Sequence, residues 1–582
     1  MTASLADYTA QQYFEKNGPT LFPNAAGSIT QTCLTYLSFD TLKQGCDTRP
    51  RPLLDEYPFV SYAAVHWGHH ASRNEVTTLD MVQEFLSRNA NVAYATRILL
   101  GGLNRTDFGE IHLLSFFGLG RATSQLLQIN HIADSKDSWG QTPLSHAATQ
   151  GHSEIVQLLL TRDDVNVNSK DKDDRSPLWY ASENEHLDVT KLLLARDDID
   201  VNSKDILGNF PLSYAAKNRN LELMKLLLAR DDIDVNLEYE PSSWFEFGHS
   251  YSPLSYAAQN GDLEVMKLLL AQDTIEVNSK NEPGYSPLSY AAMKGHLEVT
   301  MLLLARDDIE INSKGKFGDS PLSHATRGEH LEVMKLLLAQ GNIDVNPKDC
   351  HGYSPLSYAA KTGHLEVAKL LLARDDIEIN SKDEYSRSPF SHAARGEHLE
   401  VMKLLLARDD INVNSKDCLG YSPLSYAAQK GHLEVTKLLL ARDDIEINSK
   451  DEYSCSPLSH SAREQHLEVT KLLLARDNIN VNSKDCLGYS PLSDAAQNGN
   501  LELTKVLLAR NDIKVNSKDW VGRSPLSYAA QNGHFEVIKL LLARDDIDVN
   551  SKDNSGQSPL AYADGHLEIM HLVMVYNIPL MH

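Results

Sequence analysis

The chain has 582 residues, a formal charge of −24 and six cysteines. So many residues exceed one ordinary globular core. The negative balance argues against sequence-independent nucleic-acid binding, which needs a basic face to displace counterions, and against an anionic membrane surface; it suits a protein partner with a basic or apolar segment, or simply keeps a long chain in solution.

Residues 1–104 follow no repeat. Tyr8–Phe14 predicts a helix with an aromatic face, Ile29–Ser38 a second, Pro58–His70 a third and Leu79–Ser87 a fourth. His66, His69 and His70, at i, i+3 and i+4, would bring three imidazoles near one face, as a zinc site does. No Cys, Asp or Glu completes a set nearby, and packing is the plainer reading.

From residue 105 to 582 one phrase recurs: Ser-Pro-Leu-Ser-Tyr-Ala-Ala, Gly-His-Leu-Glu-Val, then Lys-Leu-Leu-Leu-Ala-Arg-Asp-Asp-Ile-x-Val-Asn-Ser-Lys-Asp. The marker prolines, Pro143 to Pro559, stand 34 residues apart except for Pro211 to Pro253, which are 42 apart. A degenerate copy, Ile111–Gly118, precedes them, giving about fourteen repeats. In the copy at Ser422, the serine is a suitable N-cap and Pro423 fits the first helical position, where no amide donor is needed. Gly431 ends that helix. Val435, Leu438 and Leu439 then form one stripe of a second helix. A unit this short cannot bury its own apolar face, but stacked copies can, so the pattern predicts an all-α solenoid of helix–turn–helix units with a β-turn or hairpin between them. Residues 381–448 and 449–516 are near-copies, and Cys350, Cys418 and Cys486 recur every 68 residues, so the duplicating unit is two repeats.

These phrases resemble the ankyrin-repeat family, whose pattern is a Gly-x-Thr-Pro-Leu-His-x-Ala-Ala helix, a Gly-His turn, a leucine-rich helix and an Asp-Val-Asn turn. Ser in place of Thr, Ser357 and Ser425 in place of His, and a unit one residue longer are mild departures. The resemblance implies recognition through the turn tips and the first helix of each repeat. Within residues 1–104, Ala6–Glu15, Cys33–Asp40, Tyr62–Ala64 and Trp67–His70 resemble the helical segment that precedes the ankyrin array in fungal NACHT-type signalling ATPases. No Gly-x-x-x-x-Gly-Lys-Ser/Thr loop is present to hold phosphates, so no nucleotide binding is carried over.

The recurring histidines, such as His432 and His466, stand at every turn between helices and read as scaffold, and adjacent Asp pairs such as Asp409-Asp410 read as solvated loops. No nucleophile, base and oxyanion set lies outside the repeat pattern, so no enzyme, cofactor or metal is expected. The cysteine spacing fits neither a disulfide framework nor a zinc site, and free thiols point to a reducing compartment, cytoplasm or nucleus. The candidate partner-binding residues are the tip residues Trp139, Tyr285, Phe317, Tyr353, Arg387, Tyr421, Tyr489, Trp520 and Arg523, whose types are enriched at interfaces. The tyrosines among them could instead pack tip against tip. The insertion at about 237–249 adds Trp244, Phe245 and Phe247, which either contact a partner or fold back on a neighbouring repeat. The last repeat, irregular from residue 553, offers a poor polar cap and either frays or self-associates. The chain is expected to be a non-enzymatic intracellular protein-binding scaffold or adaptor that uses the concave face of the array. The alternatives are a transcription coregulator that holds a DNA-binding factor, and the sensor arm of a signalling ATPase.

Overall fold

The computed structural model describes residues 25–43, 59–100, 108–129, 133–237 and 252–577, and all regular structure among them is helical. Two compact units divide the chain, Met1–Glu282 and Pro283–His582.

The first unit opens with α1 (Ala25–Leu37), α2 (Asp40–Lys43), α3 (Phe59–Ser72), α4 (Glu75–Leu86) and α5 (Asn89–Leu99). The degenerate repeat follows as α6 (Glu110–Phe117) and α7 (Gly120–Gln128). Leu34 and Leu37 of α1, Trp67 of α3, Phe85 of α4 and Tyr94 of α5 share a single core with Leu114 and Phe117 of α6. Gly68 makes this possible, because a Cβ there would lie 2.1 Å from the Phe117 ring. The helices predicted at Ile29 and Leu79 begin four residues earlier in the structure, and α5 is additional. Its apolar period is broken by Asn91, which is nevertheless buried: its amide donates to the carbonyls of Leu37 (2.8 Å) and Phe39 (3.2 Å), the last turn of α1. The helix predicted at Tyr8–Phe14 lies outside the described residues. Four further helix pairs complete this unit, from Pro143–Gln150 with Ser153–Leu160 to Pro253–Asn260 with Leu263–Leu270.

The second unit is built only of repeats, from Pro287–Lys294 with Leu297–Leu304 to Pro559–Tyr562 with Leu567–Asn577. Its logic is plain in one copy. Ser422 Oγ accepts the Ser425 amide (3.1 Å), a cap that stabilises a helix by about 1 kcal/mol. Leu424, Ala427, Ala428, Val435 and Leu439 are buried, and each buried leucine contributes about 1.5–3 kcal/mol. Gly431 takes a left-handed φ of 76°, and its missing Cβ leaves room for the next repeat's His466 ring, 2.5 Å from where that atom would be. His466 Nε2–H in turn donates back to the Gln429 carbonyl (3.1 Å). The repeated glycine and histidine therefore act across the repeat boundary: the glycine makes the space that the following histidine fills.

Polar ladders run along the opposite edge. Asn414 donates to the Asp444 carbonyl (2.8 Å) and accepts the Glu446 amide (2.9 Å), while Lys416 donates to the Lys450 carbonyl (2.9 Å). The same asparagine link recurs at the same sequence offset from Asn346 onward, satisfying backbone groups that short turns leave open. In the last repeat the first helix is only four residues long, and Leu567, Met574, Val575 and Tyr576 of the final helix are exposed.

Candidate functional site

Most repeats are joined by a turn that opens on an acid. In Asp417–Tyr421 the carboxylate Oδ1 accepts the amides of Leu419 (2.9 Å) and Tyr421 (2.8 Å), and the Asp417 amide donates to the Tyr421 carbonyl (3.1 Å). Gly420, at φ 80°, closes the loop. This geometry sets the second residue after the acid at the apex and folds the fourth back over the helices. Neighbouring apices are tied together: the Leu419 carbonyl accepts the Glu452 amide (2.9 Å), the Tyr453 carbonyl the Cys486 amide (2.7 Å), and the Leu487 carbonyl the Trp520 amide (3.1 Å).

In the second unit Phe317, Tyr385, Leu419, Tyr453, Leu487 and Val521 occupy the apex, each between 39% and 60% exposed. Trp520, beside Val521, is 72% exposed. In the first unit Trp139 and Leu207 hold the same position and are exposed. One exposed leucine means little, but Tyr385, Leu419, Tyr453, Leu487 and Val521 hold one structural position in five successive repeats and form a contiguous surface, whereas His351 holds it between Phe317 and Tyr385. Exposed Glu384 and Glu452 flank the row.

Of the residues expected at the interface, Trp139, Phe317 and Trp520 are thus exposed. Tyr285, Tyr353, Arg387, Tyr421, Tyr489 and Arg523 stand at the inward fourth position. Tyr353 is buried, its ring 5.0 Å from Tyr358 and 5.2 Å from His392. Tyr421 packs on Tyr426 and His460, Tyr489 on Tyr528, and Tyr285 on His324. Arg387 donates to the Tyr426 hydroxyl (3.2 Å) and lies 4.7 Å from the Tyr385 ring, bracing that apex. Arg523 pairs with Asp519 (3.2 Å) and lies over Tyr528. Trp244, Phe245 and Phe247 lie outside the described residues. The sequence reading passed over Tyr385, Leu419, Tyr453, Leu487 and Val521. A signal was present: each directly precedes a left-handed residue, Ser386, Gly420, Ser454, Gly488 or Gly522, and follows the turn acid by two.

The other carboxylate oxygen of these acids is held by the side chain nine residues on. Tyr426 donates to Asp417 and Tyr528 to Asp519, while His392 donates to Asp383 (3.0 Å) and His460 to Asp451 (2.8 Å). Two departures each leave a buried polar atom without a partner. Gly315 replaces the acid, so His324 Nε2 is buried with no partner, and burial holds that imidazole down at about 4. Asp494 replaces the donor and faces the Asp485 turn across Arg463; burial keeps its carboxyl up at about 7.

The three N-terminal histidines pack on aromatic rings, two of them on Tyr62. His70 Nε2 is 2.9 Å from the Tyr62 hydroxyl, His69 meets the Phe117 ring edge at 5.1 Å, and His66 lies on Tyr62. Burial lowers the pKa of His69 and His70 below the ordinary imidazole value. Among the described residues, Cys350, Cys418 and Cys486 are exposed beside apices and Cys33 and Cys455 are buried. No helix among them is long and apolar enough to cross a membrane.

A family model described as ankyrin repeats (3 copies) matches residues 111–205, 172–239, 212–315, 288–383, 376–451, 447–519 and 492–579. No curated protein matches the chain.

Proposed function

The chain belongs to the ankyrin-repeat family, and from that premise we propose that it is a protein-binding scaffold whose contact surface in the Pro283–His582 unit is the row of turn apices. The observation that carries this reading is the recurrence of a large exposed apolar side chain at one position, held by hydrogen bonds between neighbouring turns. Apex-to-apex bonding means that little conformational entropy is lost when a partner docks. Packed helix layers repeat every ~10 Å, and an extended peptide advances ~3.3 Å per residue. A partner segment with an apolar side chain at every third position would therefore meet successive apices. Basic residues between them would suit Glu384 and Glu452.

Leu419→Lys, Tyr453→Lys and Leu487→Lys, made together, test this. These side chains are exposed, so each change is expected to alter stability by no more than about 0.5 kcal/mol. Binding should weaken by about 100-fold, as loss of central interface anchors does. Comparative affinity purification with quantitative mass spectrometry reads the loss against the parent chain, with circular dichroism as the folding control. An unchanged capture profile from a folded variant would reject the apex row. Tyr353, Tyr421 and Tyr489 are poorer probes, because their rings pack inward and truncation also removes packing.

The resemblance of residues 1–104 supports a second, narrower reading, in which the array is the sensing arm of a signalling ATPase. Trp67 and Phe117 then lie where a helical block passes force to the first repeat. A phosphate loop encoded upstream of Met1 would favour that reading; nuclear accumulation of the tagged chain would favour a coregulator instead.

A further inference from the structure

At the fourth turn position the repeats carry large or polar residues such as Gln141, Arg175, Tyr353, Arg387 and Tyr489, but one carries Cys455. Cys455 is 1% exposed and lies beside Asp451 and His460. That acid–imidazole pair also occurs at Asp137–His146 and Asp383–His392. In those two turns the fourth position holds Gln141 or Arg387; here it holds sulfur. The Cys455 Sγ, an Asp451 oxygen and a His460 ring nitrogen all lie within 4.8 Å of one another. No other three His, Cys, Asp or Glu residues among the described ones are so placed. A triangle of that size has its centre within about 2.8 Å of each corner, so a small contraction gives zinc's ligand distances of about 2.0–2.3 Å.

We propose that Asp451, Cys455 and His460 form a zinc site that clamps this turn to its own helix. The donor set decides the metal. One thiolate, one imidazole and one carboxylate suit borderline Zn²⁺; Mg²⁺ and Ca²⁺ take oxygen ligands, and Cu(I) favours more sulfur. The surroundings are already ordered. Asp451 Oδ1 accepts the Cys455 amide (2.8 Å), which orients the carboxylate, and the Tyr421 ring covers His460 at 5.0 Å. Arg463 Nη1 stands 3.5 Å from Sγ. Its charge favours the thiolate and opposes an incoming cation. However, its other nitrogens are engaged by Asp485 (2.5 Å) and Asp494 (3.5 Å), and the Asp485 carboxylate offsets that charge. The ion displaces the thiol proton, which leaves to solvent, and the His460 Nε2 proton, which passes to Nδ1 so that the ring stays neutral. Zn²⁺ with the thiolate, the carboxylate and a neutral imidazole is then an uncharged set, with a fourth position for water.

The test uses the full chain with Cys350→Ser, Cys418→Ser and Cys486→Ser, which removes the exposed thiols among the described residues. Zn²⁺ is titrated by calorimetry, and Co²⁺ by the sulfur-to-cobalt charge-transfer absorption. One tight equivalent with that band is expected. Cys455→Ser should weaken binding at least about 100-fold and abolish the band, since a ligand should matter at least as much as its outer-shell support. Cys455→Arg copies the turn at Arg387, a residue the array already accommodates, and should behave the same way while melting as a folded chain. Equal stoichiometry and affinity in the parent and Cys455→Ser would overturn the site, as would a parent showing no cobalt–sulfur band.

Discussion

Asp494→Tyr is expected to stabilise the Pro283–His582 unit, by an amount that grows from acid to neutral pH. The array supplies the template. Arg327 Nη2 donates to Asp349 Oδ2 (3.0 Å), the Tyr358 hydroxyl donates to that same oxygen, and the guanidinium lies 4.4 Å from the Tyr358 ring centre. Arg463, Asp485 and Asp494 are the equivalent residues four repeats later, with a second acid where the tyrosine belongs. Asp494 Oδ2 is buried with no partner. Its carboxyl, held up at about 7 by burial, stays protonated in the fold while an unfolded aspartate ionises near about 3.9. Between these values the native state binds more protons than the unfolded one, so stability falls as pH rises through that window and levels off above it. Tyrosine does not titrate there. Its advantage should be small near about pH 4 and reach about 2–4 kcal/mol above about pH 7. Denaturant unfolding across that range reads the difference, with Asp494→Asn as a variant that removes the titration but adds no ring. Parallel stability–pH curves for all three chains would show that Asp494 is not the titrating group.

Trp67→Ala should cost about 3–5 kcal/mol, as large-to-small changes in a packed core do. Trp67 is fully buried, with ring centroids 5.4 Å from Phe85 and 5.1 Å from Phe117. Phe117 belongs to α6, so the cavity should loosen the degenerate repeat as well as the helices before it. Hydrogen exchange should rise over Phe59–Ser72 and Glu110–Gln128 and remain at parent levels in Pro283–His582. Gly68→Ala should loosen the same region by overpacking, at about 1–3 kcal/mol, because its new methyl meets Phe117. A uniform rise across both units would mean that the core of residues 33–122 is not a local cooperative block.

The repeats were legible in the sequence because each structural need is met by a residue with few substitutes. Pro423 fits a first helical position, Ser422 caps it, and Gly431 takes the left-handed turn that Glu329 and Glu397 take in other copies. Side chains whose direction depends on a turn were not legible. Tyr421 and Leu419 are two residues apart in one loop, and only the hydrogen bonds from Asp417 decide which faces outward. Choosing aromatic and arginine types favoured Tyr421, Tyr489 and Arg387, which pack inward, over Leu419 and Leu487 at the apex. The cysteine spacing argued against a zinc site, yet the ligand set proposed at Cys455 needs only one thiol, since its acid and imidazole come from the repeat itself. In the N-terminal block, Asn91 interrupted an apolar stripe and hid α5, because nothing in the linear pattern reveals the carbonyls of Leu37 and Phe39 that accept its amide protons.

The fixed offset of the asparagine links bears on how such a gene changes length. Asn380 donates to the Asp410 carbonyl and Asn448, two repeats later, to that of Asn478. Removing residues 381–448 would place the Asn478 carbonyl opposite Asn380 and leave every rung matched. Unequal crossing-over between near-identical cassettes can therefore trim or extend the coding region in 68-residue steps without stranding a donor, and the eight extra residues between Pro211 and Pro253 leave their rung in place, with Asn236 donating to the Thr274 carbonyl (2.6 Å).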